Sequence, residues 1–148
     1  MSQALKPMTS ADHGYVLDAQ IGFLLRKAYQ RNSTIFLDLV PGKLTTTQFS
    51  IMHRLAEDGP MSQNLLGRSV AMDGATTKGV VDRLIARGLL ATRRDPADRR
   101  RHLVSLTPDG VALIDEAVEA AIRVTEETLA PLRERERETL LRLLAKIA

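Results

Sequence analysis

The sequence predicts a mainly α fold with one small β-hairpin, an α+β chain in which the hairpin is an appendage to helices. Three observations carry this. Apolar residues recur at helical spacing through most of the 148 residues. The β-compatible stretches are two short ones, residues 89–94 and 102–106, on either side of a charged, turn-forming loop. Capping signatures and Pro-Gly breaks divide the helical remainder into segments of ordinary length.

Residues 1–11 are polar, carry Pro7 and read as a flexible arm. A helix is expected from Asp12. Leu17, Ile21, Leu24, Leu25 and Ala28 form one apolar stripe on it, with Val16, Ala19 and Phe23 in a second stripe alongside. So broad an apolar arc packs against two neighbours, not one. Ile35, Phe36, Leu39 and Val40 extend it until Pro41-Gly42. Thr45 and Gln48 then make a capping box, because a threonine N-cap and a glutamine at N3 satisfy each other's backbone N–H groups. Phe49, Met52, Leu55 and Ala56 line the helix that follows, and Asp58-Gly59-Pro60 ends it. Ser62 caps a short helix carrying Leu65 and Leu66. Asp73 caps another that buries Val80, Val81, Leu84 and Ile85, with Gly88 at its C′ position. After the hairpin, Thr107-Pro108 supplies an N-cap and an N1 proline. A long helix follows, with Leu113, Ala117, Ala120 and Val124 on one stripe and Ile114, Val118 and Ala121 beside it. Pro131 interrupts it, and a last amphipathic helix carries Leu140, Leu144 and Ile147.

Three helices followed by a β-hairpin form the pattern of a winged helix-turn-helix lobe, here residues 44–107. The long helices of residues 12–43 and 108–148 lie outside it. They carry more apolar surface than one small lobe can cover, so they are expected to be dimerisation helices that bury each other across a two-fold axis. That symmetry matches a pseudo-palindromic DNA site.

Charge follows the same division. Residues 1–67 carry a net charge of +1, residues 68–102 +5 and residues 103–148 −3. A basic middle between near-neutral and acidic flanks fits a lobe that binds a polyanion. Cysteine is absent, which excludes disulfides and thiolate metal sites. The three histidines, His13, His53 and His102, stand far apart, so no metal set is expected. No Gly-rich phosphate loop or nucleophile elbow is present, and neither an enzyme nor a cofactor is expected. The N-terminus lacks a signal peptide and no apolar run reaches the ~20 residues of a membrane span, so a cytoplasmic protein without membrane contact is expected.

The helix that starts at Asp73 has the chemistry of a recognition helix. Gly74 and Ala75 permit close approach to base edges. Thr76 and Thr77 offer hydroxyls and methyls, and Lys78 reaches a guanine or a phosphate. Arg99-Arg100-Arg101 on an exposed tip repel one another unless an anion is near, and a narrow A·T-rich minor groove attracts an inserted arginine. Asp98 is placed to orient one of them. A helical dimer that binds only protein accounts for the terminal helices but leaves this tip unexplained.

Residues 44–110 resemble the MarR family of winged-helix transcriptional regulators. The matching pieces are Leu44-Thr45 with Gln48, Val81-Asp82-Arg83-Leu84, Gly88-Leu89-Leu90, Arg94-Asp95-Pro96-Ala97-Asp98-Arg99-Arg100, Leu103-Val104-Ser105-Leu106-Thr107, and Gly110. The flanking helices extend the likeness to nearly the whole chain. The resemblance implies a triangular homodimer whose two lobes read a pseudo-palindromic operator in double-stranded DNA. It makes Arg99 the minor-groove residue and Arg100 its framework or phosphate partner. It adds Ser62, Gln63, Asn64, Arg83 and Arg94 to the DNA-binding set of Gly74, Ala75, Thr76, Thr77, Lys78, Asp98, Arg99, Arg100 and Arg101. The chain departs from the usual pattern at Gly74, Ala75 and Lys78, where arginine or serine, and threonine, are common in the family. These departures leave the fold as expected and the base sequence read open.

The stretches Ser62–Arg68 and Met72–Leu84 are similar to a subgroup that controls breakdown of aromatic acids, their coenzyme A thioesters or nicotinate-type heterocycles. Such a regulator is expected to be a repressor released by a small aromatic or heteroaromatic acid, or its thioester. With no cysteine, the peroxide-sensing branch of the family does not apply. The five aromatics, Tyr15, Phe23, Tyr29, Phe36 and Phe49, all precede residue 50 and lie outside the basic segment. Phe23, Arg26, Tyr29, Phe49, Met52 and His53 are the expected ligand-binding residues, with Arg26 pairing a carboxylate in an apolar pocket.

Overall fold

The computed structural model describes residues 4–148. Residues 1–3 of the expected arm lie outside them. The chain divides into two compact units, the first ending at Arg31 and the second comprising Asn32–Ala148.

In the first unit the expected continuous helix from Asp12 is replaced by three pieces. A single helical turn, α1, spans Ser10–His13, a 3₁₀ turn spans Leu17–Ala19, and the long helix α2 starts at Ile21 and runs to Leu39 across the boundary between units. The break has a local cause. Asp12 accepts from both the backbone N–H (2.7 Å) and the hydroxyl (3.0 Å) of Thr9, which tightens one turn. Gly14 at φ 71° then terminates that turn in the left-handed region. Val16, Leu17 and Ala19 therefore do not share a helix with Ile21, Phe23, Leu24, Leu25 and Ala28. The arm is also shorter than expected, because Ser10 and Ala11 are helical.

In the second unit the order is α3 (Thr46–Asp58), α4 (Gln63–Ser69), α5 (Gly74–Ala86), β1 (Leu90–Arg94), β2 (His102–Leu106), α6 (Pro108–Thr128) and α7 (Glu134–Ile147). The starts of α3, α4, α5 and α6 are the ones their caps predict. Thr45 and Gln48 close their box at 3.1 and 3.2 Å. Ser62 accepts from the Leu65 N–H, Asp73 from the Thr76 N–H, and Thr107 from the Gly110 N–H. The end of α5 is a Schellman motif. Gly88 at φ 73° donates to the Ile85 carbonyl, and Leu89 donates to that of Leu84.

β1 and β2 pair antiparallel, from Leu90 opposite Leu106 to Arg94 opposite His102. Met61 adds a short third rung through two backbone hydrogen bonds to Val104, which ties the start of α4 to the hairpin. The core of this unit is filled by Leu44, Ile51, Met52, Leu66, Leu84 and Val104, all essentially inaccessible, with Ile114, Ala117 and Val124 of α6 over them. Burying one such aliphatic side chain contributes about 1.5–3 kcal/mol. Gly110 is a packing requirement here, since a Cβ on it would run into the Leu89 carbonyl oxygen. Along α7, Leu140, Leu141, Leu143 and Ile147 remain exposed.

Candidate nucleic-acid interface

The α4–α5 pair is set by one small contact. Gly67 faces the Thr77 hydroxyl so closely that a Cβ would lie 2.6 Å from it. Thr77 is completely buried, and its hydroxyl donates to the Asp73 carbonyl at 2.7 Å. This corrects the expectation that Thr77 touches DNA: it is the packing residue of the helix-turn-helix. Thr76 faces outward and its hydroxyl is held by Asp73 at 2.9 Å. Those two donors, the Thr76 N–H first and its hydroxyl second, hold the Asp73 carboxyl below its ordinary value of 3.8.

The exposed face of α5 therefore presents Gly74, Ala75, Thr76, Lys78 and Arg83. Lys78 Nζ is paired with Asp82 Oδ2 at 2.7 Å. The Arg83 guanidinium lies near Gly79, where an added Cβ would make ordinary contact with Nη2 at 3.5 Å.

The hairpin tip is organised by its own backbone. Asp95 donates to the Arg101 carbonyl and Arg101 to the Asp98 carbonyl, at 2.8 and 2.9 Å. Asp98 accepts from the Arg100 backbone N–H at 3.0 Å and lies 3.8 Å from Arg100 Nε, so Arg100 is the arginine it orients. Arg94, Arg99, Arg100 and Arg101 are all exposed. Between α4 and the tip end of the hairpin, Ser62, Gln63, Asn64, Arg68, Arg101 and His102 line an open cleft of about 500 Å³. Four of these six were expected from the sequence. Arg68 and His102 were not, although the +5 segment contains Arg68 and the cross-strand register puts His102 opposite Arg94.

The six expected ligand residues fall into two groups. In the first unit, Phe23 and Arg26 line an open depression of about 390 Å³ with Tyr15, Leu17, Gln20 and Ile21, while Lys27 Nζ sits 5.6 Å from the Phe23 ring centre. Tyr29 is half exposed. In the second unit, Phe49 stacks on His53 (5.7 Å, 23°) and meets Phe36 edge-on (5.4 Å, 67°). His53 Nδ1 also lies 3.7 Å from Glu57. Met52 is fully buried in the core, which corrects its expected place in a pocket. Its position on α3 points inward because it lies one residue from Ile51 and three from Leu55, both buried. Among the described residues no cluster of three or more His, Cys, Asp or Glu could hold a metal, and no helix is long and apolar enough to cross a membrane.

A capped recognition helix packed on a short helix, followed by an arginine-tipped hairpin, defines a winged-helix transcriptional regulator that binds DNA. The chain belongs to the MarR family, whose model matches residues 44–102. It is 41% identical over 134 residues to the HTH-type transcriptional repressor NicR of Pseudomonas putida, covering 90% of this chain and 85% of that protein. The crystal structure of a probable transcriptional regulator from Pseudomonas aeruginosa superposes with a TM-score of 0.86 at 49% identity, over 90% of this chain and all of that one. A structure of Bordetella bronchiseptica BpsR, from work on how 6-hydroxynicotinic acid regulates that protein's DNA binding, gives 0.83 at 45% identity. It covers 90% of this chain and 96% of that one.

Proposed function

We propose that the chain is a homodimeric, cytoplasmic repressor that binds a pseudo-palindromic operator and is released by a nicotinate-type heteroaromatic acid. It works by binding alone, without catalysis. The observation that carries this is the joint presentation of α5 and the arginine tip on a lobe that resembles NicR and BpsR along most of its length. In the proposed complex, Thr76 and Lys78 meet base edges in the major groove. Arg99 enters the minor groove beside it, and Arg100 is held by Asp98 for a phosphate. Ser62, Gln63, Asn64 and Arg101 contact the backbone. Residues 12–43 and 108–148 form the dimer region, and the exposed leucines of α7 are covered by a second copy.

The effector proposal gives Arg26 the carboxylate and Phe23 the aromatic face. Benzoate-type acids and coenzyme A thioesters are the alternative effector classes. The test is a fluorescence-anisotropy titration of DNA from upstream of the gene with nicotinic acid, 6-hydroxynicotinic acid, benzoic acid and benzoyl-coenzyme A. Release by the heteroaromatic acids at concentrations where the others are inert supports the proposal. Release only by benzoic acid or the thioester overturns the effector class. Absence of any sequence preference in the DNA binding overturns the regulator itself.

A further inference from the structure

Lys78 does not stand free on the recognition helix. Asp82, one turn further along α5, holds its ammonium at 2.7 Å, and both side chains are more than half exposed. No other acidic residue lies on α5 beyond its N-cap. We propose that Asp82 is a positioning residue for DNA selectivity, which withholds Lys78 from phosphates and leaves it able to donate to base edges. This rests on the DNA-binding role proposed above.

The physical reason lies in how a lysine binds. Non-specific DNA binding is almost entirely phosphate electrostatics, and an ammonium on a flexible stem can join it at any sequence. A carboxylate one turn away changes both parts of that contact. It cancels the charge that would release a counterion, and it repels a phosphate approaching the same spot. An ammonium has three donors, of which Asp82 occupies one. The others remain for guanine O6 and N7, so a base contact can form with the pair intact. A phosphate, which carries a full negative charge where a base edge does not, has to approach against the Asp82 carboxylate and a cation already neutralised by it.

The test compares wild type, Asp82→Asn, Lys78→Met and the double variant on two duplexes. One is a site selected by the wild-type protein from randomised DNA, the other a duplex of arbitrary sequence, each over a range of salt. Asn keeps the shape of Asp82 and removes its charge. Asp82→Asn should tighten binding to arbitrary DNA roughly threefold, as expected for release of one exposed ion pair per lobe. It should change binding to the selected site by less, so that selectivity falls. The slope of log K against log salt on arbitrary DNA should steepen by about 0.9 for each lobe engaged. In the Lys78→Met background the same change should have little effect. Equal effects of Asp82→Asn in both backgrounds would overturn the inference, since Asp82 would then act by its own charge. An unchanged slope in the single variant would overturn it as well. If the wild-type protein selected no site at all, the DNA-binding proposal would fall and this inference with it.

Discussion

Thr76 and Thr77 are neighbours on α5, and only one of them reaches the surface. Thr77 packs against Gly67 with its hydroxyl on the Asp73 carbonyl, while Thr76 is exposed. Thr77→Val keeps the shape and deletes the hydrogen bond, and should cost about 1 kcal/mol in urea unfolding with base preference unchanged. Thr76→Val should do the reverse and alter selectivity at one base position with little loss of stability. At the wing, Arg99→Ala should weaken binding most on sites with A·T-rich flanks, whereas Arg100→Ala should weaken all sites alike. Competition between two duplexes that differ only in those flanks separates the two. Gly110 offers a stability test. Gly110→Ala forces a methyl against the Leu89 carbonyl and should cost about 1–3 kcal/mol, read as a lower melting temperature.

The helices of the lobe begin where short side chains can take the first free N–H groups, and the order of elements was therefore legible residue by residue. Asp73 makes this pH-dependent. Its carboxyl is held below the ordinary value in the folded chain, so its capping contribution is present above about 3.8 and is lost as pH falls through the lower, folded-state value. The stability difference between wild type and Asp73→Ala should be full near pH 6 and shrink progressively below pH 4. A gap that stays constant over that range would show that the cap does not depend on the charge. Where local signals competed, the pattern was less legible. Periodicity ran through Asp12–Ala19, yet the Thr9–Asp12 box and Gly14 in the left-handed region broke the helix there. Met61 is flanked by Pro60 and Ser62 and gave no strand signal, because its pairing with Val104 is supplied by a distant segment.

For the molecule as a whole, the amphipathic α7 leaves Leu140, Leu141, Leu143 and Ile147 in water in a lone chain, with Leu140 and Leu143 lining an open groove of about 460 Å³. In the proposed homodimer a second copy covers them. Leu140→Glu with Leu143→Glu should shift the sedimentation coefficient towards monomer and weaken binding to a palindrome far more than to a half-site. The sequence by itself determined the caps of α3 to α6, the hairpin, the basic segment and the family, because each depends on residue type at short spacing. Only the tertiary structure decided which of two adjacent threonines faces DNA, that Met52 is core, that Arg68 and His102 join the cleft beside α4, and that Lys78 is already paired. Those outcomes depend on which face of each helix meets a neighbour, a choice made by packing between segments far apart in the chain.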